Sequence, residues 1–175
     1  MTDMAVFLPL DRFIATLAIV QKEGSHLSYS WHRIFAHEID NKWVQALDLQ
    51  PEIAEQLEAF TSRFGRMQDT IADKLLPRWL QAQAENTGSQ IETLNRAERL
   101  GVINSVEQWL EARKLRNRLV HEYMENAALF AEDLLLAKDY SLLLINTYNR
   151  LRDYAQTRMS LKAQLLPPSL ELDFF

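Results

Sequence analysis

The sequence predicts an all-α protein, and three observations carry that expectation. Only four Gly and five Pro occur in 175 residues, too few turn-formers for many short strands. Hydrophobic residues make up 47% of the chain, enough to fill a core. Apolar residues then recur at alternating steps of three and four over long stretches, the period of a helix packed on a partner.

Taken in order, Pro9 suits the first turn of a helix running to about Glu23, with Phe13, Leu17 and Val20 on one face and Gly24 ending it. Ser28 or Ser30 is placed to cap a second segment holding Trp31, Ile34, Phe35, Ile39, Trp43 and Leu47. Pro51 opens a long helix whose Ile53, Leu57, Phe60, Phe64, Met67 and Ile71 form one stripe. Pro77 should kink or end it near 74–76, since proline lacks the N–H that the helix needs. Asn86-Thr87-Gly88-Ser89 is the clearest turn. A short basic helix follows, with Ile91, Leu94 and Leu100 inward and Arg96 and Arg99 outward.

Asn104 with Glu107, or Ser105 with Gln108, has capping-box spacing and starts the next helix. After a turn at Glu125-Asn126, the last long helix carries Phe130, Leu134, Ala137, Ser141, Leu144, Tyr148, Leu151 and Ala155 on one stripe. Leu135, Leu136, Leu142 and Leu143 widen its apolar surface, which suits burial on two sides or in a dimer. Pro167-Pro168 ends helical structure. Residues 166–175 form a tail of the kind that frays, unless its Leu and Phe dock on a partner.

Composition narrows the chemistry. There is no cysteine, which excludes disulfides and thiolate metal sites. The formal charge of −5 argues against a general nucleic-acid binder, yet residues 96–118 carry six Arg or Lys against three Glu. No secretory signal is visible in Met1–Val6 and no apolar run reaches the ~18 residues of a membrane span, so a soluble cytoplasmic protein is expected. His32, His37 and Glu38 lack the spacing that puts two imidazoles on one helix face, so no metal site is expected there. No glycine-rich phosphate loop is present, nor the acidic pair of a nucleotidyltransferase, and no cofactor is expected.

What remains is the stretch from Arg113 to Tyr123. On a helix, Arg116 neighbours Trp109, Ala112, Arg113, Leu119, Val120 and Tyr123, and five of these six are apolar or aromatic. A guanidinium in such a stripe either pairs with a carboxylate, Asp69 being one choice, or faces a cleft where an anion binds. Trp109, two turns earlier on that face, either walls such a cleft or packs in the core. His121 lies five residues on and therefore about 140° round the helix, so its convergence with Arg116 needs a second helix or a second subunit. Asn117 and His121 share a face and are spaced to hydrogen-bond.

The run Arg116-Asn117-Arg118-Leu119-Val120-His121-Glu122-Tyr123 resembles the Arg-x4-His-x-Tyr motif of HepT-like proteins of the HEPN superfamily. The likeness is strong over these eight residues and looser, through helix order, over residues 50–157. It implies a HEPN-type antiparallel helical bundle at 49–160, with residues 1–48 an N-terminal addition within one domain spanning 1–165. It implies a homodimer whose Arg and His line a shared cleft, acting as a metal-independent endoribonuclease toxin on RNA. In that reading Arg116 and His121 are catalytic, Asn117 supports them, and Arg113 and Arg118 contact RNA phosphates. It further implies a cognate nucleotidyltransferase antitoxin that AMPylates the motif tyrosine, which is Tyr123. The alternative within the same resemblance is a non-catalytic subunit that presents a nucleotide or other substrate to a separate nucleotidyltransferase.

Overall fold

The computed structural model describes residues 8–122 and 125–171, the side chain of Glu122 excepted, and no strand occurs among them. The elements are α1 (Pro9–Ile34), α2 (Asn41–Ala46), a 3-10 turn (Leu47–Leu49), α3 (Pro51–Thr70) and a π-turn (Ile71–Leu75). They continue with α4 (Leu76–Ala82), α5 (Gln90–Arg99), α6 (Val106–Glu122), α7 (Ala127–Thr157) and a last 3-10 turn (Ala163–Leu165). The chain is all-α, as its composition and periodicity predict. None of its described helices is long and apolar enough to cross a membrane.

The first helix is longer than the sequence suggests. Gly24 does not end α1 but lies buried in its middle, where a Cβ would stand 2.3 Å from Leu170 Cδ1. A mid-helix glycine costs about 1 kcal/mol relative to alanine. Val20, Leu27, Trp31 and Ile34, all buried on the same side, hold α1 through it. Ser28 and Ser30 consequently sit inside α1 rather than capping a second helix, and Ser30 Oγ accepts a 2.7 Å hydrogen bond from Arg63. The cap of α2 is Asp40, whose carboxylate accepts from the Trp43 N–H at 2.7 Å.

Ahead of Pro77 the regular helix gives way to the π-turn at Ile71–Leu75, where the sequence places a kink or an end. Leu76 N–H reaches five residues back to the Ile71 carbonyl, opening a π-turn just ahead of the proline. The wider turn makes room for the ring and lets α4 follow on from α3. Leu57, Phe60, Phe64, Met67 and Ile71 are buried as the stripe predicts. They face α1, which contributes Phe13, Leu17, Val20 and Leu27 to the same core. Residues of α1 therefore belong to the central packing together with α3, α4 and α7.

Ser89 caps α5 in a reciprocal box with Glu92, and Leu94 points inward. Ile91 and Leu100 are 54% and 41% exposed, contrary to the inward face expected of them. Thr93 and Ala97 take those inner positions, because the short helix packs through its small residues. Ser105 Oγ accepts from the Gln108 N–H at 3.2 Å at the start of α6, while Asn104 is taken up by Arg150. Asn126 caps α7, whose predicted stripe from Phe130 to Ala155 is buried throughout. Residues 166–171 neither fray nor reach outward; they lie on the chain's own α7.

The capping box at Ser89 has a measurable consequence. Ser89→Ala is expected to cost about 1 kcal/mol, since it leaves an α5 N–H unpartnered. A urea titration should show a midpoint lowered at unchanged slope, and an unchanged midpoint would show that the box contributes nothing.

Candidate functional site

The buried face of α6 is made by Trp109, Ala112, Leu115 and Leu119, and Arg116 sits at its edge. The arginine lies across α3 over Gly65, where a Cβ would be 2.9 Å from its Nε and 3.3 Å from its Cγ. One turn further along α3, Asp69 accepts a 2.9 Å hydrogen bond from Arg116 Nη2. Gly65 and Asp69 thus form a seat: the glycine admits the aliphatic stem and the carboxylate turns the guanidinium. The ion pair is a surface feature, with side chains 37% and 48% exposed.

Arg116 lines a cleft of about 620 Å³. Its walls bring Arg66, Lys74 and Arg116 together with Glu58, Asp69 and Asp73, so cations and carboxylates balance. Hydroxyls of Thr61, Ser62 and Thr70 and the apolar surfaces of Leu57, Leu119, Val120 and Phe130 complete it. Asp73 and Lys74 belong to the π-turn, so the feature that accommodates Pro77 also sets two polar side chains of the cleft. Such an arrangement suits a phosphorylated ligand: guanidinium and ammonium for charge, hydroxyls for hydrogen bonds, and apolar surface for a flat ring.

Behind the cleft wall, Glu23 of α1 accepts a 3.0 Å hydrogen bond from the Thr70 hydroxyl. Its other oxygen is buried without a partner. Burial pushes the Glu23 carboxyl above its ordinary pKa of 4.5, against the opposing pull of the Thr70 bond and of Arg66 and Lys74.

The other residues singled out from sequence go elsewhere. His121 is exposed on the last turn of α6, does not line the cleft, and makes no hydrogen bond to Asn117. Asn117 is also exposed, with only a long 3.5 Å contact from its Oδ1 to Arg116 Nη1. Arg118 is held by Asp133 of α7 through two 3.0 Å bonds, Nε to Oδ2 and Nη2 to Oδ1. Because the Asp133 side chain is only 5% exposed, Arg118 fastens α6 to α7. Arg113 turns to the α5 side and contacts Gln90. Trp109 packs in the core at 3% exposure, and does not wall the cleft. Tyr123 lies outside the described residues. Among those that are described, no cluster of three potential metal ligands occurs.

Sequence reasoning missed Arg66, Lys74 and Gly65 as site residues. Their signal is the polar stripe of α3 and the π-turn, where Glu58, Ser62, Gly65, Asp69 and Asp73 recur at steps of three and four. That stripe is the complement of the apolar one that identifies the helix.

Glu23 allows a pH test. A raised carboxyl pKa in the folded state stabilises the fold fully below the ordinary value, and the gain is lost as pH rises through the raised value. Glu23→Gln is therefore expected to be more stable than the wild type at pH 7, with the difference shrinking towards pH 4. Urea midpoints at the two pH values check this, and a constant gap would refute it. Comparison of the chain with protein-family models, with curated proteins and with solved structures gives no match.

Proposed function

We propose that this chain is a HepT-like endoribonuclease toxin of the HEPN type, which cleaves RNA at a site shared by the two subunits of a homodimer. The observation that carries the reading is Arg116: an always-charged group seated on Gly65 and aimed by Asp69 at the rim of a cleft of about 620 Å³. An exposed ion pair contributes only about 0–1 kcal/mol, so a phosphate competes readily with Asp69 for the guanidinium. Arg116 then binds the scissile phosphate in a fork of two hydrogen bonds and stabilises the charge gathering on its oxygens. His121 of the facing subunit takes the proton from the ribose 2′-OH. The 2′ oxygen attacks phosphorus, the bond to the 5′ oxygen breaks, and that oxygen takes a proton from water, while the His121 imidazolium returns its proton to solvent.

A second chain is required by this mechanism, because His121 is exposed outside the cleft that Arg116 lines. Val120, 64% exposed on the cleft edge, is an apolar surface that such a neighbour would cover. Asn117, next to Arg116 and on the face of His121, supports the incoming group. Arg113 and Arg118 stand along the same helix as flanking cations, Arg118 with its bonds to Asp133 retained. A partner nucleotidyltransferase that adds AMP to Tyr123 would restrain the toxin, since the added phosphate brings bulk and negative charge beside the motif.

The second reading is a non-catalytic nucleotide-binding subunit, and the charge balance of the cleft favours it. A nucleotide whose phosphates meet Arg66, Lys74 and Arg116 needs no imidazole at all.

Purified protein incubated with RNA distinguishes the two. His121→Ala and Arg116→Ala are each expected to slow cleavage by at least ~100-fold with the fold retained. Gly65→Ala tests the seat: its Cβ meets Arg116, so cleavage should fall although helix propensity rises by about 1 kcal/mol. RNA left as intact by the wild type as by His121→Ala sinks the nuclease. Saturable ATP binding lost in Arg116→Ala would then carry the second reading.

A further inference from the structure

Beyond the last 3-10 turn the chain is extended, with Leu166 at φ −102° and ψ 142°. It lies along α7, where Tyr148, Asn149 and Arg152 hold its backbone. Tyr148 donates its hydroxyl to the Pro168 carbonyl at 2.6 Å, and Arg152 Nε donates to the Pro167 carbonyl at 2.7 Å. Asn149 reads both sides of one peptide residue: its Nδ2 donates to the Leu170 carbonyl at 2.9 Å and its Oδ1 accepts from the Leu170 N–H at 2.8 Å. Two side chains of the segment are taken in, Leu166 and Leu170, each 8% exposed, and Leu170 is the one seated against α1. Its slot exists because α1 carries Gly24, with Met67 of α3 beside it.

This is the chemistry by which a groove recognises an extended peptide: backbone bonds set the register and buried side chains, here Leu166 and Leu170, set the sequence. Two prolines pre-organise the segment and offer carbonyls alone, the acceptors to which Tyr148 and Arg152 donate. Ser169 between Pro168 and Leu170 is exposed, so its identity is not read. The connecting residues 162–165 are exposed as well and serve mainly as a tether. None of the contacts depends on the segment being joined to this chain.

We propose that α7 around Asn149, together with the Gly24 slot of α1, is a peptide-binding groove for extended Pro-Pro-x-Leu segments. The chain's own residues 167–170 fill it in cis, and a segment of the same pattern on a partner protein fills it in trans. A tethered occupant competes at an effective concentration on the order of mM, so the groove is masked until the tail leaves. The masking is independent of the cleft at Arg116.

The test uses the full chain carrying Leu170→Asp, which unseats the tail and leaves the groove intact. A fluorescein-labelled peptide of residues 163–171 is titrated and followed by anisotropy. The variant is expected to bind at least about tenfold more tightly than the wild type, and a further Asn149→Ala to abolish the gain. Equal weak binding to both, with the variant folded by circular dichroism, overturns the proposal. Hydrogen exchange of the unmodified protein is the second measurement and does not depend on the variant folding. The Leu170 amide should exchange by local release, faster than buried α7 amides such as that of Leu151 by about 100-fold or more. Exchange of Leu170 only with global unfolding overturns a releasable tail. A wild-type dimer that disappears in Leu170→Asp would assign the groove to a second copy and overturn the partner segment.

Discussion

The contact on which the candidate site depends is the 2.9 Å bond between Arg116 of α6 and Asp69 of α3. An arginine flanked by Trp109, Ala112, Leu119 and Val120 has no apolar resting place, and its charge cannot be removed by deprotonation. The molecule resolves this by setting the residue at the rim of the buried face and giving it a partly exposed carboxylate. The consequence is a guanidinium with fixed direction but little binding strength invested in its partner. A deeply buried pair would hold α6 to α3 more firmly and would be closed to ligands. A pair of that kind, Arg118 with the buried Asp133, joins α6 to α7 instead, with Arg118 two positions along α6 from Arg116.

Two glycines inside long helices share one physical role. Gly65 lets the stem of Arg116 lie on α3, and Gly24 lets Leu170 lie on α1. In both, the missing Cβ is replaced by a side chain from a distant part of the sequence. The helix gives up about 1 kcal/mol of propensity at each position. What it gains is a close approach that alanine would obstruct. The cleft and the tail groove therefore rest on the same device, used once on α3 and once on α1.

The π-turn at Ile71–Leu75 joins local geometry to the site. Pro77 removes a hydrogen-bond donor and crowds the preceding turn, and the widened turn absorbs both effects without parting α3 from α4. Ile71 and Leu75 remain in the core while Asp73 and Lys74 reach the cleft. Asp73 also accepts from Gln90 of α5 at 2.8 Å, so the same turn ties the cleft to the helix beyond it.

The sequence alone determined the all-helical class, the buried stripes of α3 and α7, the start of α3 at Pro51, the turn ahead of α5 and the cap at Ser105. Each of these follows from residues within a few turns of one another, where the 3.6-residue period and the unpaired end groups of a helix act directly. It also left Arg116 two partners, a carboxylate such as Asp69 or an anion in a cleft. Tertiary packing alone decided that Gly24 runs through a helix, that the tail folds back, that Arg66 and Lys74 join Arg116, and that His121 stays outside their cleft. These depend on how separate helices are offset along and around one another. A single helix's pattern states which face is apolar, but not which residue of a distant element will lie across it.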